Sequence, residues 1–88
     1  MKLVFSDHAW EDYQYWVNTN EKVRDRINEL IKQCKRTPFK GTGKPEPLKG
    51  DLTGWWSRRI SQEDRMVYRV SGTGNDQSLE IAQLRFHY

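Results

Sequence analysis

Glu46 stands between Pro45 and Pro47, with Lys44 ahead of the first proline and Lys49 beyond the second. A basic, aromatic stretch follows, Trp55-Trp56-Ser57-Arg58-Arg59-Ile60, then Arg65, and His87-Tyr88 closes the chain. A carboxylate, a cluster of cations and a histidine suit the cleavage of an RNA phosphodiester without a metal. The ribose 2′-hydroxyl must lose a proton, the phosphorane gains negative charge, and the departing 5′-oxygen must gain a proton. A carboxylate or histidine serves as base, a protonated histidine as acid, and Arg or Lys stabilises the charge. Arginine fits the phosphate role because its planar fork donates two parallel charge-assisted hydrogen bonds.

Each candidate also has an ordinary reading. Glu46 is the candidate base, since the flanking prolines restrict its backbone; on spacing alone, a solvent-exposed loop glutamate is the commoner case. Arg65 and Arg59 are candidate phosphate ligands on strands, which hold cations more firmly than loops do. Either one alone is also what a solvated strand arginine looks like. His87 is the candidate acid, although a terminal histidine is often a frayed tail residue. The last strand is predicted to run to Phe86, which would release His87 at a defined place. Its alternation sets Arg85 and His87 on one face with Ile81, and Phe86 and Tyr88 on the other with Ala82; which face holds the core stays open. Trp55, Trp56, Phe86 and Tyr88 are able to stack on bases. Core packing is the commoner use of such rings, and at least one tryptophan is expected to be structural.

Other constellations are dismissed on chemistry. Cys34 falls on an apolar helical stripe and reads as a small core residue. Two histidines and one cysteine, far apart, do not make a metal site. Gly41-Thr42-Gly43-Lys44 faintly resembles a phosphate-binding loop, but Pro45 stands where Ser or Thr is required. His8, at the start of the first predicted helix, reads as a surface residue.

The elements that must position these groups belong to one small domain, expected over residues 1–88. A chain of this length buries only roughly 60–65% of its unfolded surface. Hydrophobic residues make up 35%, yet 11 of the 88 residues are Trp, Tyr or Phe, and large rings bury much area each. One cysteine excludes an internal disulfide and suits a reducing cytoplasm. No apolar run is long enough for a signal peptide or a membrane span, so a soluble intracellular protein is expected. The net charge of +3 is unevenly spread: residues 35 to 69 hold nine Lys or Arg against four Asp or Glu. A basic middle of this kind points towards a polyanion.

Lys2 to Phe5 reads as a strand. Ser6 is a plausible helix N-cap, with Asp7 in the first turn; Trp10, Tyr13 and Val17 recur at helical spacing, with Trp16 beside them. Thr19 or Asn20 caps a second helix whose apolar stripe is Val23, Ile27, Leu30, Ile31 and Cys34. Thr37-Pro38 ends it, because the residue before proline is pushed out of the helical region. Phe39 to Gly50 carries three glycines and two prolines in twelve residues and reads as a long loop, of the kind that is usually functional. Strands are predicted at Trp55–Ile60, Arg65–Val70 and Leu79–Phe86, with a turn from Gly72 to Gln77. The order predicts an α+β fold, a helix hairpin on one face of an antiparallel sheet.

Several segments together resemble the YoeB toxins, in the Txe/YoeB branch of the RelE/ParE toxin superfamily. They are the start Met1-Lys2-Leu3-Val4-Phe5-Ser6, Ile27-Asn28-Glu29-Leu30-Ile31-Lys32, Arg36-Thr37-Pro38-Phe39 and Gly43-Lys44-Pro45-Glu46-Pro47-Leu48-Lys49. Trp56-Ser57-Arg58-Arg59-Ile60, Arg65-Met66-Val67-Tyr68 and Arg85-Phe86-His87-Tyr88 complete the likeness, which spans the chain. The resemblance implies a RelE-like, microbial-RNase-like fold and a toxin of a type II toxin–antitoxin pair, cutting mRNA in the ribosomal A site. It makes Glu46 the general base, His87 the general acid and Arg65 the transition-state stabiliser. Arg59 and Lys49 would contact phosphate, Lys44 and Arg58 would extend the RNA-binding surface, and Tyr88 would complete the site. It implies no cofactor, a homodimer, and a YefM-type antitoxin as partner beside the ribosome and mRNA. The chain departs from the family pattern in a longer Gly72–Gln77 turn and in the polar Glu80 and Gln83 of the last strand. Two other functions stay open: a module that blocks translation without cutting, and a gyrase-directed toxin of the ParE type, which would need no base and acid pair.

Overall fold

The computed structural model describes residues 1–86. Its elements run β1 (Lys2–Phe5), α1 (Asp7–Thr19), α2 (Glu21–Arg36), β2 (Glu46–Pro47), β3 (Trp56–Arg59), β4 (Arg65–Ser71) and β5 (Ser78–Gln83). Single 3₁₀ turns lie at Gly50–Leu52 and Gly74–Asp76. The strands form one sheet in the order β1-β5-β4-β3-β2. The β3–β4 and β4–β5 pairs are antiparallel, as expected; an unpredicted β2 adds a further antiparallel pair with β3, and β1 runs parallel to β5, so the sheet is mixed. The α1–α2 hairpin covers one face, and the fold is α+β as predicted.

Local chemistry starts and stops the helices where the sequence suggested. The Ser6 hydroxyl accepts from the Ala9 amide at 3.0 Å. Asn20 caps both helices at once. Its amide donates to the Trp16 carbonyl at the end of α1, and its side chain accepts from the Val23 amide at the start of α2. Ile27, Leu30, Ile31 and Cys34 are buried along α2 as predicted. On α1 the stripe is rotated from the expected one. Ala9, Asp12 and Trp16 face the core, while Trp10 is 51% exposed and forms an edge cluster with Phe5 and Tyr13. The aromatic rings of α1 flank the buried stripe on both sides, so ring spacing alone misplaced it by one residue.

The core lies between the helices and the inner faces of β4 and β5. Met66, Tyr68, Leu79, Ile81 and Leu84 meet Trp16, Ile27, Leu30 and Cys34 there. β5 does not continue to Phe86. An extra residue at Ala82 shifts the register, since Val67 pairs with Gln83 and Tyr68 with Ile81. The Ala82 carbonyl accepts instead from the Ser6 hydroxyl at 3.0 Å. Such a bulge bends its strand, and Leu84 then turns into the core. The alternation predicted for the chain end therefore lapses before Arg85. Among the described residues no helix is long and apolar enough to cross a membrane.

Candidate active-site face

Pairing decides which side chains share a surface, because directly paired residues point to the same side of a sheet and neighbours along a strand to opposite sides. Glu46 pairs with Ser57, Ser57 with Val67, and Arg59 with Arg65. These five therefore share the face away from the helices. Pro47, Trp56, Arg58, Met66 and Tyr68 share the inner face, where Met66 and Tyr68 belong to the core. Ser57 and Val67, 1% and 3% exposed, floor the outer face between Glu46, Arg59 and Arg65.

β2 was hidden inside the predicted loop, because two residues, one of them proline, carry no strand pattern. Two backbone hydrogen bonds clamp it to β3. The Arg59 amide donates to the Gly43 carbonyl at 2.7 Å, and the Leu48 amide to the Trp55 carbonyl at 2.9 Å. Pro47 costs no ladder bond on this outermost strand. Gly43, at φ +88°, would strain under any side chain: a Cβ there would meet Leu30 Cδ2 at 3.0 Å, Arg58 Cβ at 3.2 Å and the Arg59 carbonyl at 3.3 Å. Close packing here sets where the chain enters Lys44-Pro45-Glu46.

Arg58 corrects one expectation. It does not reach the surface but lies in the core, with 0% exposure. Its Nη2 donates to the carbonyls of Thr37 and Lys40, its Nη1 to that of Thr42 and its Nε to the Tyr68 hydroxyl. Tyr68 in turn donates to the Pro38 carbonyl at 2.5 Å. The arginine thus replaces water for the buried end of the 37–42 loop, the segment that leads to Glu46. Burial, outweighing the nearby Arg58, pushes the Tyr68 hydroxyl up to about 12 and likewise raises the Cys34 thiol.

The remaining expected cations are accessible. Arg59, Lys44 and Lys49 are exposed, and Arg65 is half-buried. The Arg59 carbonyl accepts from Arg26 Nη2 at 3.1 Å, a contact from α2 that fixes the strand end. Arg65 curls back on its own turn, where Nη1 donates to the carbonyls of Ser61, Gln62 and Asp64 at 2.8–3.1 Å. All three bonds use one nitrogen, Nη1, which ties the guanidinium to its own turn. Trp55 lies on the outer face beneath Arg69, 4.4 Å from guanidinium to ring. Trp56 packs inward against Phe39, with ring centroids 4.8 Å apart, so one tryptophan is structural as expected.

The expected acid His87 and its neighbour Tyr88 lie outside the described residues. What holds the chain just before them was not anticipated. Leu84 is gripped from α1: its amide donates to Asp12 Oδ2 at 3.0 Å, and its carbonyl accepts from Trp16 Nε1 at 2.8 Å. Arg85 lies between the Tyr15 and Phe86 rings, at 3.5 and 4.4 Å. The Phe86 amide donates to Asp64 Oδ1 at 2.7 Å, and its carbonyl accepts from the Arg65 amide at 3.1 Å. Nothing local marked Asp12 or Asp64 for these roles. His8 is exposed and sits 3.4 Å from Asp12, as a surface residue should.

A carboxylate on an edge strand thus shares one sheet face with Arg59 and Arg65. Such a surface can take up a proton and stabilise charge on a phosphate. A model of the family described as the YoeB-like toxin of bacterial type II toxin–antitoxin systems matches residues 5–88. Toxin YoeB of Escherichia coli (strain K12) is 54% identical over 88 residues, covering all of both chains. Among solved structures, the YoeB/ParE toxin from Agrobacterium tumefaciens superposes with a TM-score of 0.96 at 58% identity, again covering both chains fully. Two structures from Staphylococcus aureus also match over the whole of this chain and 98% of theirs. One is a YoeB dimer (TM-score 0.86, 43% identity) and the other a YoeB–YefM complex (0.88, 44%). With sequence and fold in agreement, this chain belongs to the YoeB family of toxins from bacterial toxin–antitoxin systems.

Proposed function

We propose that the protein is a ribosome-dependent endoribonuclease that cuts mRNA in the A site, acting in the cytoplasm to stop translation. The observation that carries this reading is the register of β2, β3 and β4, which gathers Glu46, Arg59 and Arg65 on one sheet face. Glu46 takes the proton of the 2′-hydroxyl as its oxygen attacks phosphorus. Arg65 and Arg59 stabilise the charge that gathers on the phosphorane, with Lys49, Lys44 and Tyr88 around it. The bond from phosphorus to the 5′-oxygen breaks as His87 delivers a proton to that oxygen. A 2′,3′-cyclic phosphate and a 5′-hydroxyl result. A second copy of the chain and a YefM-type antitoxin are the expected partners, on the strength of the dimer and the complex known for relatives.

The test maps new RNA ends by primer extension on programmed ribosomes. Wild-type protein should cut at A-site codons. Glu46→Gln should lower the rate by about 10²–10⁴ while leaving the protein folded and able to bind ribosomes. Translation that stops without new ends would show a blocker rather than a nuclease, and full-rate cutting by Glu46→Gln would remove Glu46 as the base.

A further inference from the structure

We infer that Asp64 is a positioning residue, coupling the turn that holds Arg65 to the chain segment that carries the terminal histidine; this rests on the function proposed above. Asp64 closes the turn between β3 and β4, next to Arg65, and nothing in the reaction calls for a second carboxylate. Yet each of its polar groups is engaged. Oδ1 accepts from the Phe86 amide at 2.7 Å, and Oδ2 from the Ser61 hydroxyl at 3.0 Å. Its carbonyl accepts from the amides of Ile60 and Ser61 and from Arg65 Nη1. One residue therefore closes the 61–64 turn, orients the Arg65 guanidinium and clasps the amide of the residue ahead of His87.

Geometry explains why such a clasp is required. β5 ends at Gln83, so no ladder carries the chain end beside β4. After the bulge at Ala82 the chain must be brought back, and two bonds join Phe86 to the start of β4: its carbonyl accepts from the Arg65 amide and its amide donates to Asp64. The Gln83 side chain donates to the Arg85 and Phe86 carbonyls, but this contact lies within the chain-end segment itself. Phe86 holds φ at +66°, a conformation that residues other than glycine rarely adopt. Its ring is 59% exposed, so burial contributes little to holding it. Charge-assisted hydrogen bonds from amide to carboxylate are roughly twice as strong as neutral ones. The Asp64 bond is the one of this kind that the described residues make to Phe86.

The test compares wild type with Asp64→Ala, Asp64→Asn and Ser61→Ala in the same cleavage assay, alongside hydrogen exchange at the Phe86 amide. Asp64→Ala should lower kcat roughly 10- to 100-fold, the usual consequence of a misplaced catalytic group, with KM within about twofold and faster Phe86 exchange. Asp64→Asn keeps an acceptor for that amide and should recover most of both losses. Ser61→Ala removes only the turn contact and should leave Phe86 exchange slow. Unchanged exchange in Asp64→Ala would overturn the clasp; faster exchange with full kcat would overturn its catalytic importance. A wild-type protein that cuts no RNA would instead overturn the proposed function and the positioning role with it, while the exchange data still decide the clasp.

Discussion

Arg58 and Arg59 are adjacent in the chain and meet opposite environments, because successive strand residues point to opposite faces. Arg58 donates to three loop carbonyls and a tyrosine hydroxyl in the core; Arg59 is exposed beside Arg65. Their substitutions should separate stability from binding. Arg58→Met strips several partly buried acceptors of their donor and should cost about 2–4 kcal/mol in urea unfolding. Arg58→Lys should recover only part of this, since an ammonium cannot span the same fork of acceptors. Arg59→Ala should change stability by no more than about 0.5 kcal/mol. It should weaken RNA binding and flatten the log–log salt dependence by about 0.7, measured by titration on a Glu46→Gln background.

Among the elements, the helix hairpin depends on one residue of connection. Asn20 ends α1 with its amide and begins α2 with its side chain, so no further loop is needed to turn the chain. Asn20→Ala removes the acceptor for the Val23 amide and should lower stability by about 1 kcal/mol. The denaturation midpoint should fall with the slope unchanged, and RNA cleavage should stay at the wild-type rate because the hairpin lies behind the sheet. This hairpin was legible from the caps, the apolar stripe of α2 and the Thr37-Pro38 stop. The rotated stripe of α1 was not. Its core face includes a charged Asp12, whose burial is offset by the Leu84 amide from the far end of the chain.

For the whole molecule, the buried hub that links α2, β3 and β4 makes stability depend on pH at alkaline values. Tyr68 is held protonated up to about 12, chiefly by burial. Its contribution is intact below the unfolded value near 10, then falls as pH rises towards 12, by up to about 1.4 kcal/mol per pH unit. The raised Cys34 thiol begins the same loss above its usual value of 9.0. Urea midpoints across pH 8 to 11.5 should therefore decline more steeply for wild type than for Tyr68→Phe. On the acid side the hydrogen bond from Arg69, and then that from Ser71, holds the Glu80 carboxyl below its usual range. That contribution is present above the usual carboxylate pKa and fades as pH falls through the lowered one.

The sequence by itself determined the helices and their caps, the main strands β3 and β4, the α+β class and the family. These follow from local rules: a cap bonds within three residues, periodicity is read over a few turns, and a proline acts on its neighbour. Tertiary structure alone decided that β1 joins β5 in parallel, that Glu46-Pro47 is an edge strand, and that Arg58 points inward while Arg59 points out. It also decided that β5 breaks at Ala82 and that Asp12, Trp16 and Asp64 hold the chain end. Each of these depends on contacts between residues far apart in the chain, where hydrogen-bond pairing and burial, rather than local preference, select the state.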